Sequence, residues 1–320
     1  MANEEHLELL EGGMKAWNKW REANPDIQAD LEEADLREKD LYRANLSGAN
    51  LTKADLSGSN LRESILKDAF LDDASLHGAD LTAANLSDAN LSGVDLREAT
   101  LYRADLSHVF LTHAVLSGVD FRGVTLSGAN LHAAHLSGAN LVGTDLTGAN
   151  LADAGLEGAV LIQADLRGAW LRVAYLVQAD LSEADLSEAD LFHSVLSGAN
   201  LRRANLREAN LGRSNLHKAD LSGADLSLTD LGRALVGETT FGDIDLSETQ
   251  GLETVEHEGR SYLDAHTLRR SQGKIPEAFL RGCGLSPMQI EMAKLHNPDL
   301  SDEEVTHITQ KIHDLYFAGS

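Results

Sequence analysis

The chain has almost none of the residues that staple, kink or span a fold. Among 320 residues there is one cysteine, Cys283, and there are four prolines. A single thiol cannot form an internal disulfide, so stability must come from burial and hydrogen bonding, and a reducing cytoplasm is the expected compartment. Cys283 itself reads as a small packed residue rather than a reactive thiol. Aromatic residues make up only 5%. No apolar run reaches the roughly eighteen residues that a membrane-spanning helix needs, so no membrane partner is expected. Glu4 and Glu5 near the start do not suit a secretion signal. Basic residues are scarce as well: 27 Lys and Arg face 51 Asp and Glu, a net charge of −24. That balance argues against direct binding of nucleic acid through its phosphates. Walker loops, G-x-S-x-G, H-E-x-x-H and paired cysteines are all missing, so neither an enzyme nor a cofactor site is expected.

What the chain does have is a register. Leucine occupies every fifth position from Leu31 to Leu231, with Phe121 the only substitute, and Val236, Phe241 and Leu246 extend the series to forty-four pentads. A period of five fits neither a helix nor a plain strand, and a fixed repeat marks a stacked architecture. With the leucine called i, position i−2 is small, as in Ala44, Ala49, Ser59 and Ala79, and i−1 is mostly Asp or Asn. Residues two apart share one face of a short extended segment, and the remaining residues turn the chain. Val94, Val109, Val119 and Val124 put larger side chains at i−2 around Phe121, which predicts a locally wider coil. Lys39 is the one misfit at i−2, and its amine is expected to reach an acidic group or solvent near the N-terminal rim.

The motif A-(D/N)-L-x-x, as in Ala129-Asn130-Leu131-His132-Ala133, resembles the pentapeptide-repeat family over roughly residues 29–250. That resemblance implies an all-β fold, a right-handed quadrilateral β-helix with four pentads per coil and both i and i−2 pointing inward. Residues twenty apart would then stack, giving about eleven coils and a rod on the order of 50 Å long at ordinary strand spacing. Some members of the family resemble duplex DNA and bind a topoisomerase, which makes DNA mimicry the alternative reading. Residues 29–250 carry 34 acidic and 17 basic side chains, and seventeen of the acids are the Asp at i−1. The acidity is therefore mostly a product of the repeat, whose Asp and Asn favour tight turns.

The flanks differ from the repeat. Residues 4–23 read as an amphipathic helix with Leu7, Leu10, Met14, Trp17 and Trp20 on one stripe, ended by Pro25 and weakened at Gly12-Gly13. Residues 1–28 would thus form an N-terminal cap. Beyond Gly251, short helices are expected at 267–270, 276–282, 287–295 and 302–316, with Ser301 to Glu304 as an N-terminal capping sequence. Residues 251–320 would form a small C-terminal helical adaptor. Thr267-Leu268-Arg269-Arg270-Ser271, Ile275-Pro276-Glu277 and Phe279-Leu280-Arg281-Gly282-Cys283-Gly284-Leu285 resemble a linker of bacterial, notably cyanobacterial, pentapeptide-repeat proteins. There the linker often leads into a TIR domain, an effector fold associated with NAD cleavage and immune signalling. The residues up to Ser320 lack the strand–helix alternation of that domain, so its activity is not expected of this chain.

Candidate functional residues are those that depart from the repeat. Apolar side chains stand at the outward i−1 position at Phe70, Phe110 and Trp170 on one face, and at Val115, Tyr175 and Val195 on the next. Trp170, Tyr175 and Val195 are expected to form a patch, the usual mark of a protein interface. Arg202, Arg203, Arg207, Arg213, Lys218 and Arg233 make the last coils locally basic, a candidate strip for acidic residues of a partner. His113, His132 and His135 lie close in the stacking scheme, but as outward side chains they are expected to be solvated rather than metal-bound. Together these features predict a solenoid scaffold for protein–protein interaction or self-association, presenting its C-terminal segment in a bacterial signalling or defence pathway.

Overall fold

The computed structural model describes residues 2–318, which divide at Tyr175/Leu176 into two compact units. In both, parallel β-bridges join residues twenty apart at i−1. They run from Asp30↔Asn50 to Gly155↔Tyr175 in the first unit and from Asp180↔Asn200 to Asp230↔Gln250 in the second. A regular rung has two hydrogen bonds: Leu31 N–H donates to Asn50 C=O (2.7 Å), and Asn50 N–H donates to Ala29 C=O (2.8 Å). The inward positions are sealed, with Leu131, Leu186 and Phe121 at 0% exposure. Each such leucine contributes roughly 1.5–3 kcal/mol of burial.

Between rungs the chain turns over four residues. The N–H of residue i+3 donates to the leucine carbonyl, as from Ala34 to Leu31 (3.1 Å), and the residue at i+2 has a positive φ. This explains the glycines at i+2, such as Gly143 and Gly148, both at φ 64°. The Asp or Asn at i−1 completes the turn, its Oδ1 accepting the N–H of residue i+1, as Asp55 does from Ser57 (3.0 Å). Asn side chains also bridge coils: Asn60 Nδ2 donates to Asp40 Oδ1 at 2.8 Å, and Asn205 Nδ2 to Asp185 Oδ1 at 2.9 Å.

The expected single helix over 4–23 is two helices, α1 (Glu4–Glu11) and α2 (Met14–Ala23). Gly13 between them adopts φ 92°, which a side chain would disfavour, so the glycine pair breaks the helix rather than merely weakening it. The pair lies against the first coils. Trp17 is fully buried with Nε1 donating to Asn45 C=O (2.9 Å), and Arg21 donates to Ile27 and Ser47 carbonyls (both 2.6 Å). Lys39 is exposed, 3.8 Å from the Glu11 carboxylate.

The ladder continues past Gly251. β1 (Leu235–Val236) pairs with β3 (Glu256–His257), and β2 (Thr240–Phe241) pairs with β4 (Tyr262–Leu263), all parallel. His257 partners Val236, so it stands in the inward column that leucine fills elsewhere. Four helices follow: α3 (Ala265–Arg270), α4 (Glu277–Gly282), α5 (Pro287–Lys294) and α6 (Asp302–Ala318). Thr267 and Ser271 accept the Ile244 and Leu246 N–H groups (3.3 and 3.0 Å), satisfying backbone that would otherwise be left open. Ser301 and Glu304 form the expected reciprocal cap of α6.

Candidate interaction surface

In the first unit Phe70, Phe110 and Trp170 share one ladder, Phe70–Asn90–Phe110–Asn130–Asn150–Trp170. Val115 and Tyr175 share the adjacent ladder, Val115–His135–Gly155–Tyr175. Asn at i−1 buries polar atoms in the coil-to-coil bridges, whereas a ring at the same position projects outward. Trp170 is 61% exposed, Phe70, Phe110 and Tyr175 are nearly half exposed, and Val115 is half-buried. Val173 stands between Trp170 and Tyr175 in sequence and is also exposed. Sequence reasoning missed it, although a β-branched residue at i+2, where glycine recurs, was the available signal. Val195 belongs to the second unit, on the ladder Val195–Asn215–Leu235, and is half-buried.

The basic side chains of the second unit are largely occupied at home. Arg202 pairs with Asp220 (3.1 Å), Arg203 with Glu183 (3.5 Å), Arg207 with Glu208 (2.9 Å) and Lys218 with Glu238 (3.9 Å). Arg213 lies over the Phe192 ring, 6.0 Å from its centroid, and Arg233 is exposed. Asp220 is held below the usual carboxylate range: although burial opposes this, hydrogen bonds from Ser222 and Arg202 outweigh it. Coil-to-coil pairing of this kind reduces the strip's value as a free cationic surface.

Carboxylates of the repeat are similarly engaged. Arg37, Arg97, Arg122 and Arg167 each grip the Asp two residues earlier, at 2.6–2.7 Å for the closest pair of atoms. The Arg37 guanidinium holds Asp35 at a pKa of about 2. His113 and His132 rings lie 6.1 Å apart, and His132 Nδ1 is 3.0 Å from Ala152 C=O. Among the described residues no group of three His, Cys, Asp or Glu is disposed to hold a metal ion, and no helix is long and apolar enough to cross a membrane. Burial pushes the Cys283 thiol up to about 12, as befits a packed cysteine.

The pentapeptide-repeat model matches residues 27–62, 54–93, 95–132, 129–168, 159–198 and 194–233. The chain belongs to the pentapeptide-repeat family. Its members fold as right-handed β-helices and are generally non-enzymatic structural or interaction proteins. Among solved structures it is similar to HetL of Nostoc sp. strain PCC 7120, a pentapeptide-repeat protein involved in heterocyst differentiation regulation. Identity is 34% over 66% of this chain and 94% of that one, with a TM-score of 0.43. It is also similar to a pentapeptide-repeat protein of the Arabidopsis thaliana thylakoid lumen (32% identity, 35% of this chain and 71% of that one, TM-score 0.26). A third is Rfr23 of the cyanobacterium Cyanothece 51142 (30% identity, 35% and 83%, TM-score 0.22). No curated protein matches it significantly in sequence.

Proposed function

We propose that this pentapeptide-repeat protein is a non-enzymatic scaffold for protein–protein interaction, with self-association its first use. In this reading α1 and α2, within residues 1–28, cap the first coil, residues 29–250 form the contact surface, and residues 251–320 act as a helical adaptor. The observation that carries it is the cluster Trp170, Val173 and Tyr175. These are exposed apolar side chains within six residues of chain, at positions that the repeat mostly gives to polar residues or glycine. Exposed aromatics of this kind are typical anchors of protein interfaces.

DNA mimicry of the kind that captures a topoisomerase is the competing reading. It needs an array of free carboxylates, whereas many here are tied to arginines or to turn N–H groups. Light scattering on the wild type and on a Trp170→Ser/Tyr175→Ser variant tests the proposal. We expect a mass above the 34.5 kDa monomer that falls to the monomer in the variant. A monomeric wild type overturns self-association, and an assembly unchanged in the variant overturns the surface. Inhibition of topoisomerase supercoiling at micromolar protein would favour the competitor.

A further inference from the structure

The first unit has a flaw in its ladder, and it falls where the leucine register is broken. From Leu31 to Leu156 every residue of the five-residue leucine register donates its N–H to the carbonyl nineteen residues on, except Leu101. Bonds from Asp120 N–H to Ala99 C=O, from Glu98 N–H to Ser117 C=O and from Arg103 N–H to Arg122 C=O are missing too, and Thr100↔Asp120 is not bridged. A cavity of about 490 Å³ opens there, lined by Thr100, Leu101, Tyr102, Asp120 and Arg122. Ala99 in its floor is 8% exposed, whereas Ala79 and Val119, its counterparts one coil either side, are 0% and 2% exposed.

The opening is a wedge. On the opposite face the rungs are tight: Leu91 N–H to Phe110 C=O is 2.7 Å and Phe110 N–H to Ala89 C=O is 2.9 Å. The faces on either side are looser: Leu96 N–H to Val115 C=O is 3.1 Å, and Thr125 N–H to Ala104 C=O stretches to 3.5 Å. The cause lies in the core. Val119 stacks on Ala99, and Phe121 stacks on Leu101, so two oversized side chains meet the coil below. A close-packed interior answers surplus volume with displaced backbone. Above, the Phe121 rung itself is intact, with Phe121 N–H to Asn140 C=O at 2.8 Å and Asn140 N–H to Val119 C=O at 2.9 Å, although the Gly123 N–H to Val142 C=O and Asp145 N–H to Val124 C=O bonds are missing. Within the first unit the bridge itself is lost only between Thr100 and Asp120. Gly118 and Gly123, both left-handed at φ 71° and 73°, lie at the turns flanking this segment.

We propose that Val119 and Phe121 build a hinge into the solenoid. The Asn90–Phe110 face is the pivot, and the Thr100/Asp120 face opens and closes. Stacked repeats are held by neighbour interfaces alone, so a weakened interface is where such a fold bends and locally opens.

Hydrogen exchange on the full chain tests this against a Val119→Ala/Phe121→Leu variant, which restores the ordinary repeat. In the wild type the Leu101, Arg103 and Asp120 amides should exchange on the order of a hundredfold faster than Leu81, Ala83 and Thr100 one coil earlier. In the variant they should slow to match them. Equal protection in the wild type, or no slowing in the variant, overturns the hinge. Should the double variant fold poorly, Val119→Ala alone should give part of the slowing. A Thr100→Cys/Asp120→Cys pair reports the motion directly. It should oxidise to a disulfide several-fold faster when combined with the two core replacements, and equal rates with and without them would also sink the proposal.

Discussion

The imidazole of His257 fills the space that a side chain on Gly282 would need. A Cβ at Gly282 would overlap the ring, and Phe279, one turn earlier on α4, stacks against the same ring at 5.4 Å. Helix α4 thus seats on the solenoid through a glycine notch over a histidine in the inward column. Gly282→Ala should cost about 1–3 kcal/mol through overpacking. Thermal unfolding followed by near-ultraviolet circular dichroism should show this loss. Adding His257→Ala should return much of it by vacating the space, and failure of that rescue would place the strain elsewhere.

The same histidine makes the fold sensitive to acid. Burial pushes its pKa below the ordinary value of 6.5, and both ring nitrogens are buried without a hydrogen-bond partner. The folded state therefore favours the neutral ring, while the unfolded chain takes up a proton at the ordinary value. Stability from this group is full above about pH 6.5 and falls as pH drops from there towards the lowered folded-state value. Urea unfolding at pH 7.5 and pH 5.5 should show a larger acid-induced loss in the wild type than in His257→Phe. Equal losses would mean that the ring is solvated.

Val173 sits at φ 60°, a conformation that β-branched residues strongly disfavour. Glycine adopts this conformation without strain, and Val173→Gly should stabilise the chain by about 1 kcal/mol, the left-handed strain exceeding the entropy that glycine adds to the unfolded state. Denaturant midpoints decide the sign. A destabilised variant would mean that packing of Val173 beside Trp170 and Tyr175 outweighs the strain, itself a sign of an organised patch.

The repeat was legible because its physics is local and reiterated. A leucine every five residues, a small residue two before it and an Asx between them specify inward stacking, turn and ladder at once. The widened stretch could be anticipated from Val119 and Phe121, since volume is written in the sequence, but which side of the coil would open depends on backbone relaxation. The left-handed i+2 position was hidden because glycine shares it with Glu, Arg and His, whose side chains reach solvent from that turn. His257 was invisible as a core residue because β3 pairs with β1 after an insertion that shifts the register from twenty to twenty-one residues, so the five-residue count no longer identifies what points inward. The pairing of Arg202 with Asp220 and of Arg203 with Glu183 also needed the coil-to-coil geometry, because partners eighteen and twenty residues apart look unrelated along the chain.

Leu131 offers the plainest test of the ladder itself. Its side chain is fully buried, its N–H donates to Asn150 C=O at 2.7 Å, and its carbonyl accepts the Ala134 N–H at 3.0 Å. Leu131→Lys would place an ammonium among leucines one coil away on either side, with no carboxylate in the inward columns to meet it. A buried unpaired charge costs several kcal/mol even after the structure relaxes, so the variant should lose the local coils rather than tolerate the charge. Leu131→Ala should cost about 2–5 kcal/mol for the cavity alone, with the ladder retained. Hydrogen exchange separates the two outcomes: protection should vanish across residues 111–151 in the lysine variant and persist in the alanine variant. A lysine variant with wild-type protection would contradict the inward placement of the fifth residue.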